Sequence, residues 1–301
     1  MSIQTKTIGE MLEYGQSLFE QSEIYFGHGT DNAWDEAVYL LSAVLNLPPD
    51  ADRALLENSV SIEDQQKINA LYQRRIKERI PAPYITKQAW FCTLPFYVDE
   101  RVIVPRSPIA ELIYNQFQPW CPQTPKKILD LCTGSGCIGI ACAYAFEKAQ
   151  VVLSDISDEA LQVTTINIQQ HELNDRVSAI QSDLFSAFDN SAKNSFDLIV
   201  SNPPYVDADD LASMPDEYSH EPDLALASGN DGLDFTRRLL REASQYLTEQ
   251  GVLIVEVGNS AAALEKAFPQ VPFTWLEFTQ GDGGVFVLSR SQLRQYADCF
   301  A

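Results

Sequence analysis

Asn202-Pro203-Pro204-Tyr205 is the stretch of this 301-residue chain whose residue types and order speak most directly of chemistry. It follows Phe196 to Val200, an apolar run that reads as a buried strand. Two successive prolines fix φ near about −65° and carry no amide hydrogen, so the carbonyls around them meet no local donor. The Asn202 side-chain oxygen and the Pro203 carbonyl are then two held acceptors, and Tyr205 offers a flat face. That set suits a planar NH2 group. Its lone pair is delocalised, and it becomes a nucleophile only where acceptors grip both N–H bonds and favour a pyramidal nitrogen. In isolation, the tetrapeptide reads better as a proline-rich turn closing a strand.

A second group lies earlier. Ile128-Leu129-Asp130-Leu131-Cys132-Thr133-Gly134-Ser135-Gly136-Cys137-Ile138-Gly139 sets glycines on the turn between a strand and its helix, where a ligand approaches the backbone without meeting a Cβ. Asp155 ends the next strand, where a carboxylate accepts hydrogen bonds from two ribose hydroxyls. Together they specify a bound nucleoside. Gly134-x-Gly136-x-x-Gly139 also satisfies the dinucleotide fingerprint, so the spacing alone leaves the nucleoside open.

The elements that must position these residues are legible from hydropathy. From Lys126 onward, strands at 127–132, 150–154, 176–181, 196–201 and 251–257 alternate with helices at 136–148, 157–171 and 234–247, which predicts a parallel sheet with helices on both faces. The end differs: Phe273 to Phe278 and Val285 to Leu288, joined by Gly281, Asp282, Gly283 and Gly284, read as a hairpin. The first eighty residues repeat apolar side chains at three- and four-residue steps and predict a small helical bundle. Asp31 is its expected N-cap, Pro48-Pro49 a stop, and Ser61 with Asp64 the cap of a third helix ending near Arg79. Arg74, Arg75, Lys77 and Arg79 read as a solvated face. Between the two, Ala89 to Val104 reads as a β-hairpin linker, and Ser107-Pro108 with Glu111 as the start of the next helix. The expected division is 1–86, 87–105 and 106–301.

Composition narrows the partners. Forty-two acidic against 21 basic residues leave a formal charge of −21, a field that repels phosphate backbones and attracts a basic partner; no direct DNA binding is expected. No apolar run approaches the roughly 18 residues of a membrane span, and Met1 to Leu12 holds no apolar block before a cleavage site, so a cytoplasmic protein without a membrane partner is expected. Cys92, Cys121, Cys132, Cys137, Cys142 and Cys299 show no C-x-x-C spacing, and read as free buried thiols rather than disulfides or a metal site.

Asp130 beside the glycine loop and the antiparallel terminal hairpin resemble the class I methyltransferases, an α/β fold in which the loop lies against S-adenosyl-L-methionine. The resemblance implies a methyl donor held by Asp130, Thr133, Gly134, Ser135, Gly136, Cys137, Asp155, Ile156 and Asn202, with Asp183, Leu184 and Phe185 around adenine: Asp183 on the exocyclic amine and Phe185 on the ring face. Asn202, Pro203, Pro204 and Tyr205 then become the acceptor-binding and catalytic residues, as in methyltransferases acting on planar nitrogen.

Over essentially the whole chain, the helical amino-terminal part, the hairpin linker and the Asn-Pro-Pro-Tyr domain resemble the bacterial protein-(glutamine-N5) methyltransferases. The release-factor branch carries Arg-Pro-x-Thr-Glu where this chain has Val104-Pro105-Arg106-Ser107-Pro108-Ile109-Ala110-Glu111. That departure, with Glu217-Tyr218-Ser219-His220-Glu221-Pro222 and the string from Gly251 to Ser260, is similar to the branch that methylates a glutamine of large-subunit ribosomal protein L-three. Arg106, Glu111, His220, Glu221 and Pro222 are the expected substrate contacts, although Arg106 and Glu111 serve equally as an ion pair tying linker to cleft, and Glu221 as a solvated turn residue. A release-factor methyltransferase, a nucleic-acid amino-methyltransferase and a dinucleotide-binding oxidoreductase are the rival readings; the last leaves Asn202 to Tyr205 without a purpose.

Overall fold

The computed structural model describes residues 5–48, 51–279 and 283–301. The expectations placed on Pro49, Gly281 and Asp282 lie outside them. The chain divides into two compact units, Met1–Ala89 with Pro215–His220, and Trp90–Met214 with Glu221–Ala301.

In the first unit, α1 (Ile8–Glu20), α2 (Ala33–Leu45), α3 (Ile62–Glu78) and α4 (Ala82–Thr86) bury one face each around Met11, Phe19, Leu40, Leu41, Ile68 and Tyr72. Thr7 and Glu10 form a reciprocal capping box on α1, and Ser61 caps α3 through the Asp64 amide. The cap of α2 is Asn32 rather than Asp31: the Asn32 side chain accepts from the Asp35 amide, while Asp31 takes an N–H from the Asn32 side chain. Arg75 also departs from expectation. It is 1% exposed, bonded to the Glu36 carboxylate, to Glu217 at 3.2 Å and to the Tyr25 carbonyl at 2.6 Å. A single-sequence pattern shows α3 as a polar face, but a guanidinium with a fork of donors is tolerated inside when carboxylates and a carbonyl occupy that fork.

A short hairpin follows, β1 (Ala89–Phe91) and β2 (Leu94–Phe96), turned by Cys92 and Thr93 at φ 50° and 61°. Strand pairing stops there rather than at Val104. The Asn167 side chain takes over, accepting from the Tyr97 amide at 2.7 Å and donating to its carbonyl at 3.0 Å, which holds the chain extended without a partner strand. Then follow α5 (Ile109–Tyr114), β3 (Lys127–Leu131), α6 (Cys137–Ala145), β4 (Gln150–Asp155), α7 (Asp158–Gln170), β5 (Val177–Gln181) and β6 (Phe196–Ser201). Beyond β6 come α8 (Ala208–Ser213), α9 (Asp223–Leu226), α10 (Asp234–Glu242), β7 (Leu247–Glu256), α11 (Ala261–Ala267), β8 (Thr274–Trp275), β9 (Val285–Ser289) and α12 (Arg290–Gln295).

The seven larger-sheet strands run β5-β4-β3-β6-β7-β9-β8, parallel except for β9, which is antiparallel to both β7 and β8. This is the class I methyltransferase fold, with its terminal antiparallel strand. Alternation sorts the strands onto two cores: Ile128, Leu153, Val200 and Ile254 pack in one, Leu129, Leu131, Ile199 and Leu253 in the other. Burying each such side chain is worth about 1.5–3 kcal/mol, so both faces resist any slip of register. α10 ends earlier than expected and β7 begins earlier, at Leu247, because a single 3-10 turn at Ala243–Gln245 joins them.

Candidate active site

Register brings the predicted residues to one edge. Leu131 is level with Ser154 on one side and Ser201 on the other, Ser201 is level with Val255, and Asp155 with Gln181. The next residues beyond that row are therefore the glycine loop, the 156–157 turn, Ser182 and Asp183, Asn202, and Glu256. These are the carboxyl ends of the parallel strands, where open α/β sheets bind ligands.

A cavity opens at this edge. Of the predicted residues, Gly134, Asp155, Ile156, Asp183, Leu184, Asn202, Pro204 and Pro222 line it. Gly134 sits at φ 55°, and a Cβ there would meet nothing within 4 Å, so the backbone faces open space. Its amide donates to Asp155 Oδ2 at 2.9 Å, while Asp155 Oδ1 accepts from the Ser157 amide at 3.0 Å. Burial pushes the Asp155 carboxyl up, against the pull of those amides. Gly136, at φ 83°, is the N-cap of α6. Gly139 packs so closely that a Cβ would come within 2.1 Å of Leu153.

The other loop residues shape the cavity from beneath rather than lining it. Asp130 is 1% exposed; its Oδ2 accepts from the Thr133 hydroxyl at 2.6 Å and the Gly139 amide at 2.9 Å, while Oδ1 is buried with no partner among the described residues. Burial, aided by the nearby Asp155 charge, pushes the Asp130 carboxyl up to about 7. Asn167 donates to the Ser135 carbonyl at 2.8 Å and Thr164 to the Gly134 carbonyl at 2.7 Å, so α7 fixes the loop. The Cys137 thiol is buried and pushed up to about 12, which leaves it protonated.

Phe185 does not present a ring face to the cavity. It is 2% exposed and stacked on Tyr246 with centroids 4.1 Å apart and planes 5° from parallel. At this position core stacking claimed the aromatic, and the apolar surface toward the cavity comes from Leu184, which takes φ 51°. Asp183 is engaged too: Arg238 on α10 donates to its Oδ2 at 2.9 Å.

Asn202 lines the same cavity, and its Oδ1 is buried with no partner among the described residues. Tyr205 donates its hydroxyl to Glu256 Oε1 at 3.0 Å. Arg106 pairs with Glu221 rather than with Glu111, and the Glu221 side chain is 0% exposed, so it is no solvated turn residue. Glu111 instead accepts from the Thr279 amide and hydroxyl, both at 2.9 Å, outside the cavity. His220 belongs to the helical unit, with Nε2 3.0 Å from the Glu78 carbonyl oxygen.

The methyltransferase small domain family model matches residues 110–215. The catalytic domain of hMettl16 bound to an RNA hairpin shares the fold at a TM-score of 0.53, with 15% identity, covering 84% of this chain and 91% of that one. The ribosomal protein uL3 glutamine methyltransferase of Francisella tularensis is 50% identical over 98% of this chain and 93% of its own length, and that of Neisseria gonorrhoeae 48% identical over 95% of each. The chain belongs to the uL3 glutamine methyltransferase family. It is an S-adenosylmethionine-dependent enzyme, and among the described residues no helix is long and apolar enough to cross a membrane.

The cavity also takes in residues that no motif singles out. Cys132 and Ser154 line the cavity, as do Val102 and Ile103 from the stretch before α5 and Leu224 from α9, which is 59% exposed. Strand register places Cys132 and Ser154, while Val102, Ile103 and Leu224 come from segments outside the sheet. Glu256 was visible inside the Gly251 to Ser260 string, but a lone carboxylate in an apolar strand carries no role until its partners are seen.

Proposed function

We propose that the protein methylates the side-chain amide nitrogen of one glutamine in ribosomal protein uL3, working in the cytoplasm where ribosomal proteins are made. The observation that carries this reading is the Asn202 side-chain oxygen, buried with no partner among the described residues, on a residue that lines the same cavity as Asp155 and Asp183. An unsatisfied buried acceptor costs about 1–3 kcal/mol, and a planar NH2 group cancels that cost.

S-adenosylmethionine supplies an electrophilic methyl group on a sulfonium. Asp155 is the acceptor for its ribose hydroxyls, Asp183 for its adenine amine, and Ile156 and Leu184 are the apolar walls. Asp130 Oδ1, another buried acceptor with no partner among the described residues, lies beside the glycine loop and answers the cationic amino-acid end. Gly134 leaves the approach clear.

The glutamine amide lies with one N–H on Asn202 Oδ1 and the other on the Pro203 carbonyl. Both acceptors draw electron density toward nitrogen and favour its pyramidal form, and Tyr205 supports the flat group. As the N–C bond forms, the C–S bond breaks and its electron pair stays on sulfur. The nitrogen then releases its extra proton to water, so no side chain of unusual basicity is required. Alignment carries most of the acceleration, on the order of 7–11 kcal/mol for well-oriented reactants.

The −21 charge favours a basic acceptor protein, and ribosomal proteins, built to bind RNA, are of that kind. The test is transfer of labelled methyl from S-adenosylmethionine to purified uL3, a release factor and an adenine-containing oligonucleotide. Label on a uL3 glutamine is expected. Label on the release factor alone would reassign the substrate, and label on the oligonucleotide alone would refute glutamine as the acceptor.

A further inference from the structure

We propose that Glu256 is a positioning residue for methyl transfer, holding Tyr205 so that its ring fixes the plane of the glutamine amide. The inference rests on the glutamine-methylation reading above and adds to it a residue behind the motif.

Glu256 is the last residue of β7, level with Val285 on β9, and is 5% exposed. Each carboxylate oxygen accepts from one hydroxyl: Oε1 from Tyr205 at 3.0 Å and Oε2 from Ser107 at 2.5 Å. Ser107 is itself fixed, since its Oγ accepts from the Ile109 amide at the start of α5, at 3.2 Å. The residues just after Glu256 touch the same tyrosine twice more. Gly258 sits at φ 44°, and a Cβ there would come within 2.5 Å of the Tyr205 ring. Ser260 donates to the Tyr205 carbonyl at 2.7 Å. Three residues within five positions, Glu256, Gly258 and Ser260, therefore hold the hydroxyl, the ring and the backbone of the last motif residue.

A carboxylate at a buried strand end is an expensive choice, because desolvating it costs several kcal/mol and an apolar residue would cap the sheet without that cost. Its two oxygens face two hydroxyls and make charge-assisted bonds to both, which locks the tyrosine about its χ angles. In-line transfer makes that rigidity matter, since a misplacement of about 1 Å can lower turnover about 10²-fold.

The experiment is a double-mutant cycle on the full chain with Glu256→Gln and Tyr205→Phe. Glutamine keeps the volume but offers one acceptor where two hydroxyls compete. We expect Glu256→Gln to lower kcat about 10-fold when Tyr205 is present and less than about 2-fold in the Tyr205→Phe background, with the KM for S-adenosylmethionine changed less than about 2-fold in both. An unchanged kcat, or the same loss in both backgrounds, would overturn the proposal, because a merely structural role does not depend on the tyrosine hydroxyl. A parent enzyme that leaves uL3 unlabelled refutes the substrate reading instead, and the cycle is then decided on whichever glutamine acceptor is labelled.

Discussion

Arg106 and Glu221, 115 residues apart in sequence, are joined by two parallel N–H···O bonds of 2.5 and 2.6 Å. Glu221 also accepts from the Val104 amide at 2.9 Å, so one fully buried carboxylate fixes the stretch before α5 and the start of the Pro222 wall. Removing the guanidinium leaves that carboxylate buried and uncompensated. Arg106→Ala is expected to lose about 3–5 kcal/mol in denaturant unfolding, and Arg106→Ala with Glu221→Gln to lose clearly less, because no buried charge is stranded. Equal losses would show that the pair contributes packing alone.

Asn202→Ala should leave S-adenosylmethionine binding within about 3-fold of the parent by calorimetry while lowering kcat about 10²–10³-fold, the usual effect of deleting one preorganised polar contact. The separation matters because Asn202 lines the cavity: a variant with normal turnover removes its side chain from the transfer step.

Asp155→Ala has the opposite signature. It removes the acceptor expected for the ribose and frees the Gly134 and Ser157 amides it now holds, so donor affinity should fall about 10–100-fold, read as Kd. Turnover at saturating donor should change much less.

Asp130 predicts a pH dependence. Burial holds its folded-state carboxyl near 7, above the unfolded value, so the folded protein binds a proton there that the unfolded chain has already lost between about pH 4 and 7. This group's contribution to stability therefore declines as pH rises through that window. A cation arriving at Oδ1 favours the ionised form and expels the proton. Donor binding near pH 6 should release a proton, seen as a calorimetric heat that varies with buffer ionisation enthalpy, and affinity should rise toward pH 7 and then level. Asp130→Asn should abolish the release.

The sheet, its edge and the motif loop were readable from the sequence because each has a local cause. Period-2 apolar strands, glycines at positive φ and a proline pair announce themselves within a few residues. What stayed hidden depends on partners far along the chain. Arg75 reads as a surface cation until Glu36 and Glu217 close around it, and Glu221 reads as a substrate contact or a solvated turn residue, with nothing local to show its pairing with Arg106. Phe185 was legible as an aromatic after β5, but only Tyr246, brought alongside by the fold, decides which way its ring turns. Glu256 has no role legible in the sequence because its chemistry is defined by Tyr205 and Ser107 together.

The central claim is that one glutamine amide lies between the Asn202 side-chain oxygen and the Pro203 carbonyl. The most direct measurement is a crystal structure of the enzyme with S-adenosylhomocysteine and a glutamine-bearing uL3 peptide. The account predicts the amide nitrogen within hydrogen-bond distance of both oxygens and facing the sulfur. A glutamine bound elsewhere, or one presenting its carbonyl oxygen to Asn202, would contradict it.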